Sequence, residues 1–151
     1  MSELTVEVEI PPALLKALNV DLQKQVIQPA TYAWAQQVKR VLVKYPPENI
    51  GNRPNLGRWY ERGYGPRWKR RDGTIGGRKT SERLKRSWTV EREENGAIVG
   101  SIASYSRWVH SKEFQTRVHA RHGWKTDEQA VNEARPAMDR IMSQIMTRLG
   151  L

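Results

Sequence analysis

From Tyr45 to Trp88 the chain reads YPPENIGNRPNLGRWYERGYGPRWKRRDGTIGGRKTSERLKRSW, and this stretch limits the possible folds more than any other. Seven of the eleven glycines and four of the eight prolines lie between Pro46 and Lys79. A segment so interrupted can form neither a long helix nor a regular central strand. Between Arg53 and Arg86 stand twelve Arg or Lys against three acids, Glu61, Asp72 and Glu82, so these 34 residues carry +9 of the net charge of +10. Residues 46–80 therefore read as a long basic loop. A loop of this length in a compact domain is usually functional, or else disordered until a partner orders it, and what flanks it is its scaffold.

The flanks carry the periodicities of an α+β domain. Thr5 to Ile10 alternates as TVEVEI, with Val6, Val8 and Ile10 on one face, the pattern of a half-buried strand. Pro11 and Pro12 suit a first helical turn, and an apolar stripe then runs through Leu14, Leu15, Leu18, Leu22, Val26, Ala30, Trp34, Val38, Val41 and Tyr45. This predicts one long amphipathic helix, with a bend near 25–29 because Pro29 removes a donor, and an end at Tyr45-Pro46-Pro47. Thr80 or Ser81 can cap a single turn through Leu84. Ser87–Glu93 and Ala97–Ala103 are strand-like on either side of Glu94-Asn95-Gly96, which predicts a hairpin with Asn95-Gly96 in a type I′ turn. Ser104–Lys112 fits either a helical turn or a strand end. Phe114–Ala120, FQTRVHA, alternates and is expected to add a third strand.

Thr126-Asp127-Glu128-Gln129 fits a capping box, with two acids favourable to the helix dipole. From there Val131, Ala134, Met138, Ile141, Met142, Ile145 and Leu149 recur at helical spacing up to Gly150, which predicts a terminal helix despite Pro136. The whole is a single domain over 1–151: a small antiparallel sheet of three or four strands flanked by a long N-terminal and a C-terminal helix. Trp34 and Trp88 read as core residues. Met138, Met142 and Met146 form either a packing stripe or an adaptable subunit interface.

With no cysteine there is neither disulfide nor thiolate chemistry. MSELTVEVEI lacks the parts of a signal peptide, and no run of about 18 apolar residues occurs, so neither secretion nor a membrane span is expected. His119 and His122, near His110 and Glu113, do not complete a zinc set, and in a strand i and i+3 side chains point to opposite faces. No nucleophile or nucleotide motif is present. The reading is a non-enzymatic protein without cofactor or metal.

A pI near 10.2 calls for an acidic partner. Within the loop, Arg58, Trp59, Arg62, Tyr64, Arg67, Trp68, Lys69, Arg70, Arg71, Arg78 and Lys79 mix cations with stacking surfaces and are the expected contacts to a partner protein or to DNA.

The order of these features resembles the tail-completion, or head-to-tail joining, proteins of tailed bacteriophages, a family of neck, minor capsid and virion morphogenesis proteins. A helix ends in Tyr45-Pro46-Pro47, and Arg78 to Thr89, RKTSERLKRSWT, is similar to the family's "RTGRLxRSW". A hairpin follows, and Ser104 to Val109, SYSRWV, is similar to "YAxYV". Gln115-Thr116 through His119, and Gly123-Trp124-Lys125-Thr126 before the last helix, match a pattern of some members. The similarity spans about Gln25 to the C-terminus. Ser81-Glu82 replaces the usual Thr-Gly, and the loop after YPP is longer than the family pattern. The resemblance implies a structural virion protein, assembled in the host cytoplasm. It would form a homo-oligomeric ring of six or twelve copies around the DNA channel at the head-tail junction. Its neighbours would be other neck, portal-adaptor or tail proteins, with non-specific contact to packaged DNA and none to membrane. The alternative from charge alone is a standalone basic nucleic-acid-binding module.

Overall fold

A computed structural model of the chain describes residues 4–9, 21, 23–47, 68–69, 71–73, 75–76, 83–148 and 150. In order these form β1 (Leu4–Glu9), a π-helical turn (Gln23–Ile27) leading into α1 (Gln28–Leu42), β2 (Trp68–Lys69) and β3 (Ile75–Gly76). Then come α2 (Arg83–Arg86), β4 (Trp88–Glu93), β5 (Gly96–Ser101), α3 (Ser106–His110), α4 (Arg117–Arg121) and α5 (Asp127–Arg148). The architecture is α+β, with a three-stranded antiparallel sheet in the order β1-β5-β4.

Alternation along the strands divides the sheet into two faces. Val6, Val99 and Val90 stand opposite one another across the three strands, as do Leu4, Ser101 and Trp88. These rows face the core, where Leu4, Val6, Trp88, Ala97 and Val99 pack with Ala35, Val38, Val41 and Leu42 of α1. The rows between them, Thr5–Gly100–Thr89 and Glu7–Ile98–Glu91, face outward. Thr5, Glu7, Thr89, Glu91 and Glu93 are exposed, and a Cβ placed on Gly100 would meet nothing within 4 Å but Thr5 Cγ2 at 3.9 Å. Among the described residues, that face is open.

Helix α1 lies on the inner face and α5 lies along α1. The helices meet through small residues: Ala35, Ala130 and Ala134 are in one buried cluster, and Ala130 and Ala134 are the buried residues of α5. The axis of α1's stripe therefore passes through Ala35, with Trp34 half-buried at its margin. The irregularity expected at 25–29 takes the form of the π-helical turn, placed where Pro29 cannot donate to the preceding turn. Thr31 Oγ1 donates to the Ile27 carbonyl at 3.0 Å, within this same first turn. The stretch expected to begin the helix at 11–20 lies outside the described residues.

The capping box is present in both directions: Gln129 N donates to Thr126 Oγ1 at 3.2 Å and Thr126 N to Gln129 Oε1 at 2.9 Å. α5 continues through Pro136, which is exposed together with Asn132, so the carbonyl it leaves unpaired faces solvent. Met138 and Met142 are half-buried and Met146 is exposed.

Two expectations need correction. The hairpin forms, but Glu93 pairs with Gly96, so its turn residues are Glu94 and Asn95. Gly96 is the buried first residue of β5 and is not among the glycines with positive φ. Phe114–Ala120 adds no strand; β1 is the third strand, and Arg117–Arg121 is helical. Thr116 decides that outcome, because its side chain accepts from His119 N and caps α4. Within the basic loop, the described residues include a short two-stranded ribbon in which Trp68 pairs with Gly76 and Lys69 with Ile75, with Arg71, Asp72 and Gly73 exposed between the strands. Gly73 takes φ +86°, a region that suits glycine.

Candidate interaction surface

Between the end of β5 and the start of α5 the chain makes an excursion held mainly by its own polar groups. Ser101 Oγ and Ser87 Oγ are 2.7 Å apart, and Ser87 Oγ lies 2.6 Å from the Leu84 carbonyl that accepts its proton. With that proton committed, the Ser101 hydroxyl donates to Ser87. Gln115 spans the excursion, its Nε2 donating to the carbonyls of Val109 at 2.7 Å and Trp124 at 2.8 Å. Thr116 N donates to the Trp108 carbonyl. α4 ends at Gly123, φ +85°, whose N–H returns to the Ala120 carbonyl.

The inner side of α3 is sealed. Val109 packs with Leu84, Ala103 and Trp124, and Tyr45 lies edge-on to Trp124 with centroids 5.1 Å apart. His110, 1% exposed, stands between Trp88 and Trp124, each 5.5 Å away in edge-to-face geometry. Its Nδ1 is 2.7 Å from the Lys125 carbonyl, an acceptor only, so Nδ1 carries the hydrogen. Nε2 is buried with no hydrogen-bond partner. Burial above all lowers the His110 pKa from 6.5 to about 4, outweighing the Lys125 carbonyl that favours the charged ring. At neutral pH the ring is uncharged and structural.

The outer side is apolar as well, and it is left open to solvent. Trp108 is 40% exposed, Phe114 45%, Val118 59% and Ile102 74%, with Tyr105 beside them. Trp108 and Phe114 meet edge to face at 6.1 Å. The Arg107 guanidinium carbon lies 4.2 Å from the Trp108 centroid and 5.3 Å from that of Phe114. Arg107 Nε is buried without an acceptor, and no carboxylate among the described residues pairs with the side chain. Exposed Trp, Tyr and Phe around an unpaired Arg is the composition of a protein-protein hot spot. Lys112 and Lys125 are paired with Glu128 and Glu133, while Arg117 and Arg121 stand exposed.

Of the residues expected to form the site, Trp68 and Lys69 form β2 and Arg71 is exposed in the ribbon turn. Arg58, Trp59, Arg62, Tyr64, Arg67, Arg70, Arg78 and Lys79 lie outside the described residues. Among the described residues no three His, Asp or Glu side chains converge as metal ligands. His119 and His122 sit in and just after α4, on one helix side rather than on opposite faces of a strand, and His119 Nδ1 is 2.7 Å from Thr116 Oγ1. No described helix is long and apolar enough to cross a membrane.

Sequence reading misses the Arg107 surface because Ser104–Lys112 fits a helical turn and a strand end equally well, and the two place different side chains outward. The one signal lies in spacing: Ser106, Val109 and His110 face inward and Tyr105 and Trp108 outward, so α3 is apolar on both sides, as a fully buried helix would be. Comparison of the chain with protein-family models, curated proteins and solved structures returns no match.

Proposed function

We propose that this chain is a structural virion protein of a tailed bacteriophage, of the neck or tail-completion type, forming a ring around the DNA channel at the head-tail junction. The observation that carries this reading is the open Arg107 surface, which asks for a protein neighbour. It lies on Ser104–Val109, the segment that resembles the family's "YAxYV". The basic stretch Arg53–Arg86, +9 over 34 residues, then serves an acidic neighbour or the channel DNA. The same charge is the specific feature favouring the second reading, a standalone nucleic-acid-binding module.

The test is complementation of a phage lacking this chain, with micrographs of particles and of the purified protein. A ring and loss of joined tails support the proposal; particles that join tails without the chain contradict it. Replacing Arg67, Lys69, Arg70 and Arg71 together with Ser is expected to leave the melting temperature nearly unchanged and to impair particle assembly. If the standalone module is right, the same variant weakens DNA binding by the monomer and makes its salt slope shallower, by roughly one unit for each phosphate that is no longer neutralised.

A further inference from the structure

The Arg107 surface has a complement on the same chain. On the outer sheet face Glu7 and Glu91 flank Ile98 across the three strands, and exposed Glu93 and turn residue Glu94 follow toward the hairpin end. No cation pairs with Glu7, Glu91 or Glu93 among the described residues. This is a carboxylate rim around an aliphatic centre, whereas the Arg107 surface is a cation set in aromatic and aliphatic side chains with Arg117 and Arg121 nearby. Within one molecule the two do not meet: Arg107 follows the Ser101 end of β5, the Glu7–Ile98–Glu91 row lies three residues further along the strand, roughly 10 Å at strand rise, and no ion pair joins Arg107 to a carboxylate among the described residues.

We infer that the Arg107 surface of one copy docks on the outer sheet face of the next, with the guanidinium received between Glu7 and Glu91 and Ile98 set against Trp108. This rests on the ring reading above and names its subunit contact. The two patches differ, so the contact is head-to-tail and repeats from copy to copy, closing into a ring when the rotation allows. The apolar part is on the order of 400 Å² when the open fractions of Trp108, Phe114 and Tyr105, about two-fifths of roughly 200 Å² each, are taken together with the largely open Ile102 and Val118. That is about half of what one side of a stable interface buries. The charged rim supplies the remainder, so assembly is concentration-dependent and weakens with salt. Nucleic acid fits this patch less well, because the Trp108 face is already occupied by Arg107 and Ile102 and Val118 offer no stacking surface.

The experiment is sedimentation velocity over a range of protein and salt concentrations on the wild type, Arg107→Glu, Glu91→Arg and an equimolar mixture of the two variants. Each variant alone is expected to self-associate about 30-fold more weakly or worse, as for loss of a buried charge pair. The mixture is expected to recover, because each junction then joins either the native pair or its reversed copy. Glu91 is exposed, so Glu91→Arg tests the contact even if Arg107→Glu lowers the melting temperature. Rings that form equally well in both variants overturn this contact and leave the ring reading standing. A wild type that stays monomeric at every concentration overturns the contact, and the ring reading is then decided by the particle micrographs. Loss of binding to duplex DNA by Arg107→Glu, with self-association unchanged, overturns it in favour of nucleic acid.

Discussion

Along α3, Val109 and His110 are enclosed by Leu84, Trp88 and Trp124, whereas Tyr105 and Trp108 reach solvent beside Phe114 and Arg107. Both sets are rich in aromatic and apolar groups, so hydrophobicity does not distinguish them. They differ in what closes each one: the inner side is closed by the chain itself, and the outer side is open to solvent. Substitutions on the inner side should therefore register in folding, and those on the outer side in assembly.

The largest expected effect is on the inner side. Trp124→Ala removes the ring that contacts both His110 and Tyr45, and should cost about 3–5 kcal/mol in denaturant unfolding. A loss below about 1 kcal/mol would mean the inner side is no better packed than the outer.

The second effect is of pH. The folded pKa of His110, about 4, lies below its ordinary 6.5. Between these values the unfolded chain binds a proton that the folded ring refuses, so stability present above pH 6.5 is lost as pH falls toward 4. Below that it falls no further on this ground. The loss is on the order of 3 kcal/mol. A His110→Phe variant should lack this slope, and equal pH profiles for the two proteins would remove His110 from the inner seal.

Thr116→Ala deletes the cap of α4, the piece that carries Val118 on the outer side, and is expected to cost about 1 kcal/mol. The smallest effect on folding sharpens the contrast most: Ile102→Ser, at a position 74% exposed, should change stability by no more than about 0.5 kcal/mol while weakening self-association. If it unfolds the chain, the outer side belongs to the core.

What was legible in the sequence was what local chemistry decides. The Thr126–Gln129 capping box depends on adjacent residues alone and forms as read. The β4–β5 hairpin was legible from two alternating runs, but its turn is displaced by one because Gly96 is used for burial at the start of β5 and not for a positive φ. FQTRVHA alternates like a strand, yet one Thr116 side chain turns it into a capped helix, a choice that alternation cannot register. The α1–α5 contact centres on Ala35, Ala130 and Ala134, whose closeness shows only once two helices are packed. The Arg107 surface was illegible for a related reason. Burial is tertiary, and an exposed Trp108 is spelled like a buried Trp88.

Whether the outer side of α3 meets the outer sheet face of another copy can be tested by cross-linking. The chain has no cysteine, so thiols can be placed at will on these two surfaces. Val118→Cys and Thr89→Cys, both at exposed positions, are to be treated with a short bis-maleimide, singly and combined in one chain. Head-to-tail docking predicts little product from either single variant, and from the double variant a ladder of covalent oligomers ending in one limiting species whose size gives the ring number. A single variant that gives a strong dimer, or a double variant that gives no ladder at concentrations where the protein assembles, would contradict it.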